Sequence, residues 1–204
     1  MKKLKNISII AALLICAVFA SCSKSVEFSE DFFDLSASTG TVTAEIGTHT
    51  EIKSGNTDIK TIGYDTAESY SEAFSLAGGV GIGSSAGDLE KALGLSYGGA
   101  MWETYIAKDE TETIVNYAEY QKDDIDFASY DDRFLTVGYV KNEDGSWSVM
   151  PFEDLKSVWE LEGKLEDGAE IAVISAGLDS DGVITEIVID RAHYGDFKSF
   201  YAAD

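Results

Sequence analysis

The sequence predicts an α+β fold, with an antiparallel sheet of several hairpins and two to three short helices packed on one face. Three observations lead there. Short segments of alternating apolar and polar residues recur between clusters of Gly, Asp and Asn. Helical spacing is confined to brief stretches, and strand and helix do not alternate regularly as a parallel sheet requires. Hydrophobic residues make up 45% and aromatics 11% of 204 residues, enough to build a core rather than a disordered chain.

The chain opens with Met1-Lys2-Lys3-Leu4-Lys5, followed by an uncharged apolar run from Ile7 to Phe19 and then by Ala20-Ser21-Cys22. A basic start, a short apolar run and small residues have the layout of a secretory signal. The run is too short to span a bilayer, which takes about 20 apolar residues. Phe19-Ala20-Ser21-Cys22 resembles the lipobox of bacterial lipoproteins, with Phe19 where Leu is usual. That resemblance implies cleavage before Cys22, acylation of Cys22 and attachment to a membrane through its acyl chains. It also implies a bacterial cell envelope location outside the cytoplasm. The expected organisation is signal peptide 1–21, lipidated cysteine and tether 22–38, and a single α+β domain 39–204. Cys16 leaves with the signal and Cys22 is acylated, so the mature body has no thiol for a disulfide or a metal. Three lysines leave as well, and the remaining 183 residues carry a formal charge of −25. Such a surface repels phosphate backbones, which argues against nucleic-acid binding.

The tether is acidic yet carries Phe28, Phe32, Phe33 and Leu35, so its second half is expected to dock on the domain. Strand alternation runs over 41–46, 48–53 and 59–64, with a turn at Ser54 to Asp58. The period then changes. Asp65 with Glu68 suggests a helix start, and Ala67, Tyr70, Ala73, Phe74 and Ala77 follow at helical spacing up to Gly78-Gly79. A second helix is expected over 86–93, capped by Ser85 with Asp88 and ended by Gly94. Strands follow at 101–107 and 111–120, then an acidic loop at 121–132. Residues 133–141 and 146–150 form a hairpin around Asn142-Glu143-Asp144-Gly145. Pro151 opens a helix that Gly163 closes. Residues 170–176 and 183–191 make a last hairpin, with Val183, Thr185, Ile187 and Ile189 on one face and Ile184, Glu186, Val188 and Asp190 on the other. The aromatic tail from His193 to Tyr201 is expected to pack back on the domain.

Four groups of residues bear on chemistry. Gly83-Ser84-Ser85-Ala86-Gly87 matches G-x-S-x-G, the turn that exposes a nucleophilic serine. Asp179, Asp181 or Asp190 and then His193 follow in the chain order of such hydrolases, so Ser85, Asp190 and His193 form a candidate catalytic set. The same stretch reads Gly81-x-Gly83-x-x-Ala86, a dinucleotide-like pattern with Glu103 downstream. The plainer reading of both is a glycine-rich connection capped into a short helix, and no cofactor is expected. Gly81-x-Gly83-x-Ser85-x-x-Asp88-Leu89-x-x-Ala92-Leu93-Gly94 is similar to the helix entry of small envelope lipoproteins of the outer-membrane-assembly type. That resemblance implies a binding or scaffolding protein rather than an enzyme.

Asp123, Asp124, Asp126, Asp131 and Asp132 are hard oxygen ligands of the kind calcium takes, but the spacing lacks the glycine of an EF-hand. A solvated acidic loop is the simpler reading. Asp179-x-Asp181-Gly182 reads as a turn. His49 and His193 have no metal-ligand spacing and read as packed or surface residues. The functional expectation is a lipid-anchored envelope protein with a binding or structural role. Its partner would be an envelope protein or a glycan, engaged through aromatics such as Trp102, Tyr117, Tyr120, Tyr130 and Trp147. The alternative is a small extracytoplasmic serine hydrolase using Ser85 and His193.

Overall fold

A computed structural model describes residues 28, 30–64, 66–94, 101–107, 112–116, 130–150, 152–159, 161, 163 and 165–202. Residues 1–21, Cys22, Asp65, Tyr117, Tyr120, Asp123, Asp124, Asp126 and Pro151 lie outside the described residues.

The described chain begins with a 3₁₀ turn, Glu30–Phe33, and a small hairpin of β1 (Asp34–Ala37) and β2 (Gly40–Thr43). Next come β3 (Thr48–Lys53), β4 (Asn56–Thr61), β5 (Ala67–Tyr70) and α1 (Ala86–Ala92). They are followed by β6 (Met101–Ala107), β7 (Glu112–Asn116), β8 (Tyr130–Lys141) and β9 (Trp147–Val149). The chain finishes with α2 (Phe152–Trp159), β10 (Glu170–Leu178), β11 (Ile184–His193) and α3 (Tyr194–Tyr201). The strands of the main sheet run in the order β5-β4-β3-β11-β10-β8-β6-β7, every pairing antiparallel, with β9 added to the end of β8. The architecture is mostly antiparallel β with three short helices among the described residues.

Local sequence explains the hairpins. The Asp179 carboxylate accepts from the backbone N–H groups of Asp181 and Val183, which closes the β10–β11 turn. In the β8–β9 turn, Asp144 accepts from the N–H of Ser146 in the same way. The centre of the sheet is buried on both sides because two apolar layers cover it. Phe28, Phe33, Leu35, Leu76, Leu89, Leu93, Leu135, Val137, Ala172, Ile174, Ile187 and Ile189 belong to one core. Leu155 and Val158 of α2, Tyr194 and Phe197 of α3, and Ile171, Val173 and Ala192 of the sheet form the other. The helices therefore do not share a face: α1 covers one side, and α2 with α3 the other. Gly138 allows α2 to approach, since a Cβ there would meet Leu155 Cδ1 at 2.6 Å.

Phe28, Phe32, Phe33 and Leu35 are all core residues. Phe28 stacks on Tyr139 with ring centroids 4.0 Å apart and meets Trp147 edge-on at 5.7 Å.

Two further expectations change. Residues 67–77 are not a helix. Residues 67–70 form β5 on the edge of β4, and Thr57 Oγ1 then holds the chain by donating to Glu72 O and accepting from Phe74 N–H. The helical stripe offered mostly alanine, with little area to bury, so strand pairing and the burial of Phe74 and Leu76 prevail. The strict alternation along β11 also fails at one point. Leu178 pairs with Ile184 but Gly177 pairs with Glu186, so Thr185 is an extra residue in a bulge. Ile184 and Ile187 thus enter the same core despite their odd spacing.

Candidate functional site

Ser85 is the N-cap of α1. Its hydroxyl donates to Asp88 Oδ2 at 2.7 Å, and the N–H groups of Ser85 and Asp88 complete a capping box. Gly83, with φ at 88°, sets the entry to that cap. Reciprocal backbone bonds between Gly83, Ser84 and Ile184 pin the segment beside the start of β11. Asp190 is six residues and His193 nine residues along that strand from Ile184, or about 20 and 30 Å at strand rise. His193 faces the carbonyl of Gly168 at 3.2 Å, and its odd offset from Asp190 puts the two on opposite sheet faces. The structure does not bring Ser85, Asp190 and His193 together. No strand of the sheet precedes the glycine-rich turn to make a nucleophile elbow, since Gly79 to Ser84 is irregular.

Asp131 and Asp132 lie in β8 rather than in a loop, with Asp132 paired to Ile106. Among the described residues no three His, Cys, Asp or Glu side chains converge to hold a metal. Trp147 is a core residue, 4% exposed, and presents no binding face. Trp102 and Tyr130 stand in β6 and β8.

Asp190 instead meets the other histidine. His49 on β3 sits opposite Asp190 on β11 in the pairing register. Its Nδ1 is 2.6 Å from Asp190 Oδ1 and its Nε2 is 3.0 Å from Glu51 Oε1. Tyr201 of α3 donates to the second oxygen of Asp190 at 2.7 Å, and Lys60 of β4 donates to Glu51 at 3.1 Å. Phe200 packs on the imidazole at 5.1 Å. With a carboxylate at each ring nitrogen, both nitrogens are asked to donate, which is the imidazolium form. Burial alone would push the His49 pKa down, but the hydrogen bonds and charges of Asp190 and Glu51 prevail and raise it. Burial likewise opposes ionisation of Glu51, yet His49, Lys60 and Lys53 pull it down to about 2. The result is a charged network tying β3, β4 and β11 to α3.

Beside it a cleft of about 450 Å³ opens between the β4–β5 turn and α3. Lys60, Ile62, Tyr64, Thr66, Ser199 and Phe200 contribute to its lining. Tyr64 is 74% exposed, the most open of the large apolar side chains described. Phe200 is shared between the cleft wall and the His49 contact, so the network holds that wall in place.

A second charged cluster lies on the opposite face. Arg191 is buried, bridges Glu30 at 2.6 Å and Glu170 at 3.1 Å, and stacks over Phe33 at 4.4 Å. Lys141 also meets Glu30, at 2.9 Å, and Glu30 accepts from Trp147 Nε1. This cluster clamps the start of the domain onto the sheet.

The sequence reading missed the His49 network. Its only local sign is His49-x-Glu51, two polar groups on one face of a predicted strand. No known family model, curated protein or solved structure matches the chain.

Proposed function

We propose that the chain is a lipid-anchored protein of the bacterial envelope with a binding role, held outside the cytoplasm by acyl chains on Cys22. The observation that carries the binding role is the cleft at α3, where the exposed Tyr64 shares the lining with the hydroxyl-bearing residues Thr61, Thr66 and Ser199. An aromatic face with flanking hydroxyls suits a sugar ring or an apolar peptide side chain, so an envelope glycan or protein fits better than a charged polymer. The formal charge of −22 points away from nucleic acid. The separation of Ser85 from His193 favours binding over serine hydrolysis, in keeping with the scaffolding role that the helix-entry resemblance implies.

Fractionation of cells expressing the full chain and its Cys22→Ser variant tests the anchor. The full chain is expected in the membrane fraction and the variant in the soluble one. Continued acyl labelling of the variant would reject Cys22 as the attachment residue. A fluorophosphonate serine probe tests the role: labelling lost in Ser85→Ala would overturn a purely binding function.

A further inference from the structure

We infer that the end of the sheet bearing Ile46 and Tyr64 seats against the bilayer, so that the α3 cleft opens at the lipid interface and meets its glycan or protein partner there. The inference rests on the anchored reading above. Phe28 is already in the core, and it follows Cys22 by only six positions. Fully extended, six residues reach about 22 Å. The leash therefore holds the domain close to the membrane, and the end nearest Phe28 is the part it brings there.

The strand register identifies that end. Phe28 stacks on Tyr139, which pairs with Ala172, then Arg191, then Thr48 across the sheet. Thr48 is the first residue of β3, so Phe28 lies at the level where the β2–β3 turn enters. Gly47 donates to Arg191 O, and Ile62 donates to Gly47 O, which places the β4–β5 turn at the same end. These two turns carry Ile46 and Tyr64, 42% and 74% exposed. Leaving them in water costs apolar hydration, whereas the headgroup boundary accepts an aliphatic side chain and a phenol with a wet hydroxyl. The opposite end, with the Asp179–Gly182 turn and Ser85, faces away. Glu45, Glu143 and Asp144 flank the seated end, so the surface that fits is one of low net charge, and anionic lipid weakens the contact.

The mature chain has no cysteine other than Cys22, so single thiols report cleanly. Full-length lipidated protein carrying Thr66→Cys or Asp181→Cys is labelled with an environment-sensitive fluorophore and reconstituted into phosphatidylcholine vesicles. A portion of the vesicles contains lipid spin-labelled near the headgroup. The label at 66 is expected to shift to the blue and lose emission to the spin label, and the label at 181 to do neither. Tyr64→Glu combined with Ile46→Glu is expected to abolish both effects at 66 while the protein still floats with the vesicles. Equal behaviour at 66 and 181, or effects at 66 that survive the double substitution, would overturn the inference and leave the anchor intact. Failure to float, with Cys22 itself taking the label, would overturn the anchored reading instead.

Discussion

His49 Nδ1 and Asp190 Oδ1 lie 2.6 Å apart across the β3–β11 pair, and the Asp190 side chain is almost wholly buried. A buried ion pair is costly to break, because the survivor keeps its desolvation without its partner. Asp190→Ala is expected to destabilise the protein by about 3–5 kcal/mol in urea unfolding. A loss below about 1 kcal/mol would mean that the pair is not closed in solution.

The same network predicts a pH optimum. His49 has a raised pKa in the fold, so its contribution is complete below the unfolded value of about 6.5 and is lost as pH rises through the raised value. Glu51 is lowered to about 2, so its contribution is present above its ordinary value of 4.5 and is lost as pH falls towards 2. Melting temperature is thus expected to peak between these limbs, near pH 5–6. His49→Gln should remove the decline above about pH 6.5. A decline that persists in the variant would place its origin elsewhere.

Arg191 holds Glu30, Glu170 and the Phe33 ring together. Arg191→Ala is expected to cost about 2–3 kcal/mol through lost charged hydrogen bonds. Amide exchange should quicken first in Glu30–Ala37, since that segment is what the guanidinium clamps. Unchanged protection there would contradict the clamp.

A chain beginning at Thr39 removes Phe28, Phe32, Phe33 and Leu35 from the core at once. Each large buried side chain is worth about 2–5 kcal/mol, so the truncated chain is expected not to fold. Cooperative thermal unfolding of such a chain, followed by circular dichroism, would refute this.

Ser85→Ala removes the α1 cap and is expected to cost about 1 kcal/mol, read as a small fall in melting temperature. Ser85→Asp, which can also cap, should restore most of it. No rescue would mean that Ser85 serves something other than the helix.

Local features were legible because their partners are near in sequence. The Ser85–Asp88 cap spans three residues, and the turns at Asn142–Gly145 and Asp179–Gly182 are closed by their own side chains. Where the outcome depends on strand pairing rather than on the segment alone, the reading failed. The helix expected over 67–77 gave way to an edge strand on β4, and Thr185 was displaced by a bulge that no alternation shows. The candidate site was hidden most fully: His49 and Asp190 are 141 residues apart.

The sequence by itself determined the acidic surface, the absence of thiols after Cys22, the antiparallel character and the position of most hairpins, since composition, period and turn chemistry are local properties. Only the tertiary structure decided that helices cover both faces, that Trp147 is core and that Asp190 pairs with His49 rather than His193. Those depend on strand order and register, which arise when the whole chain competes for one buried sheet.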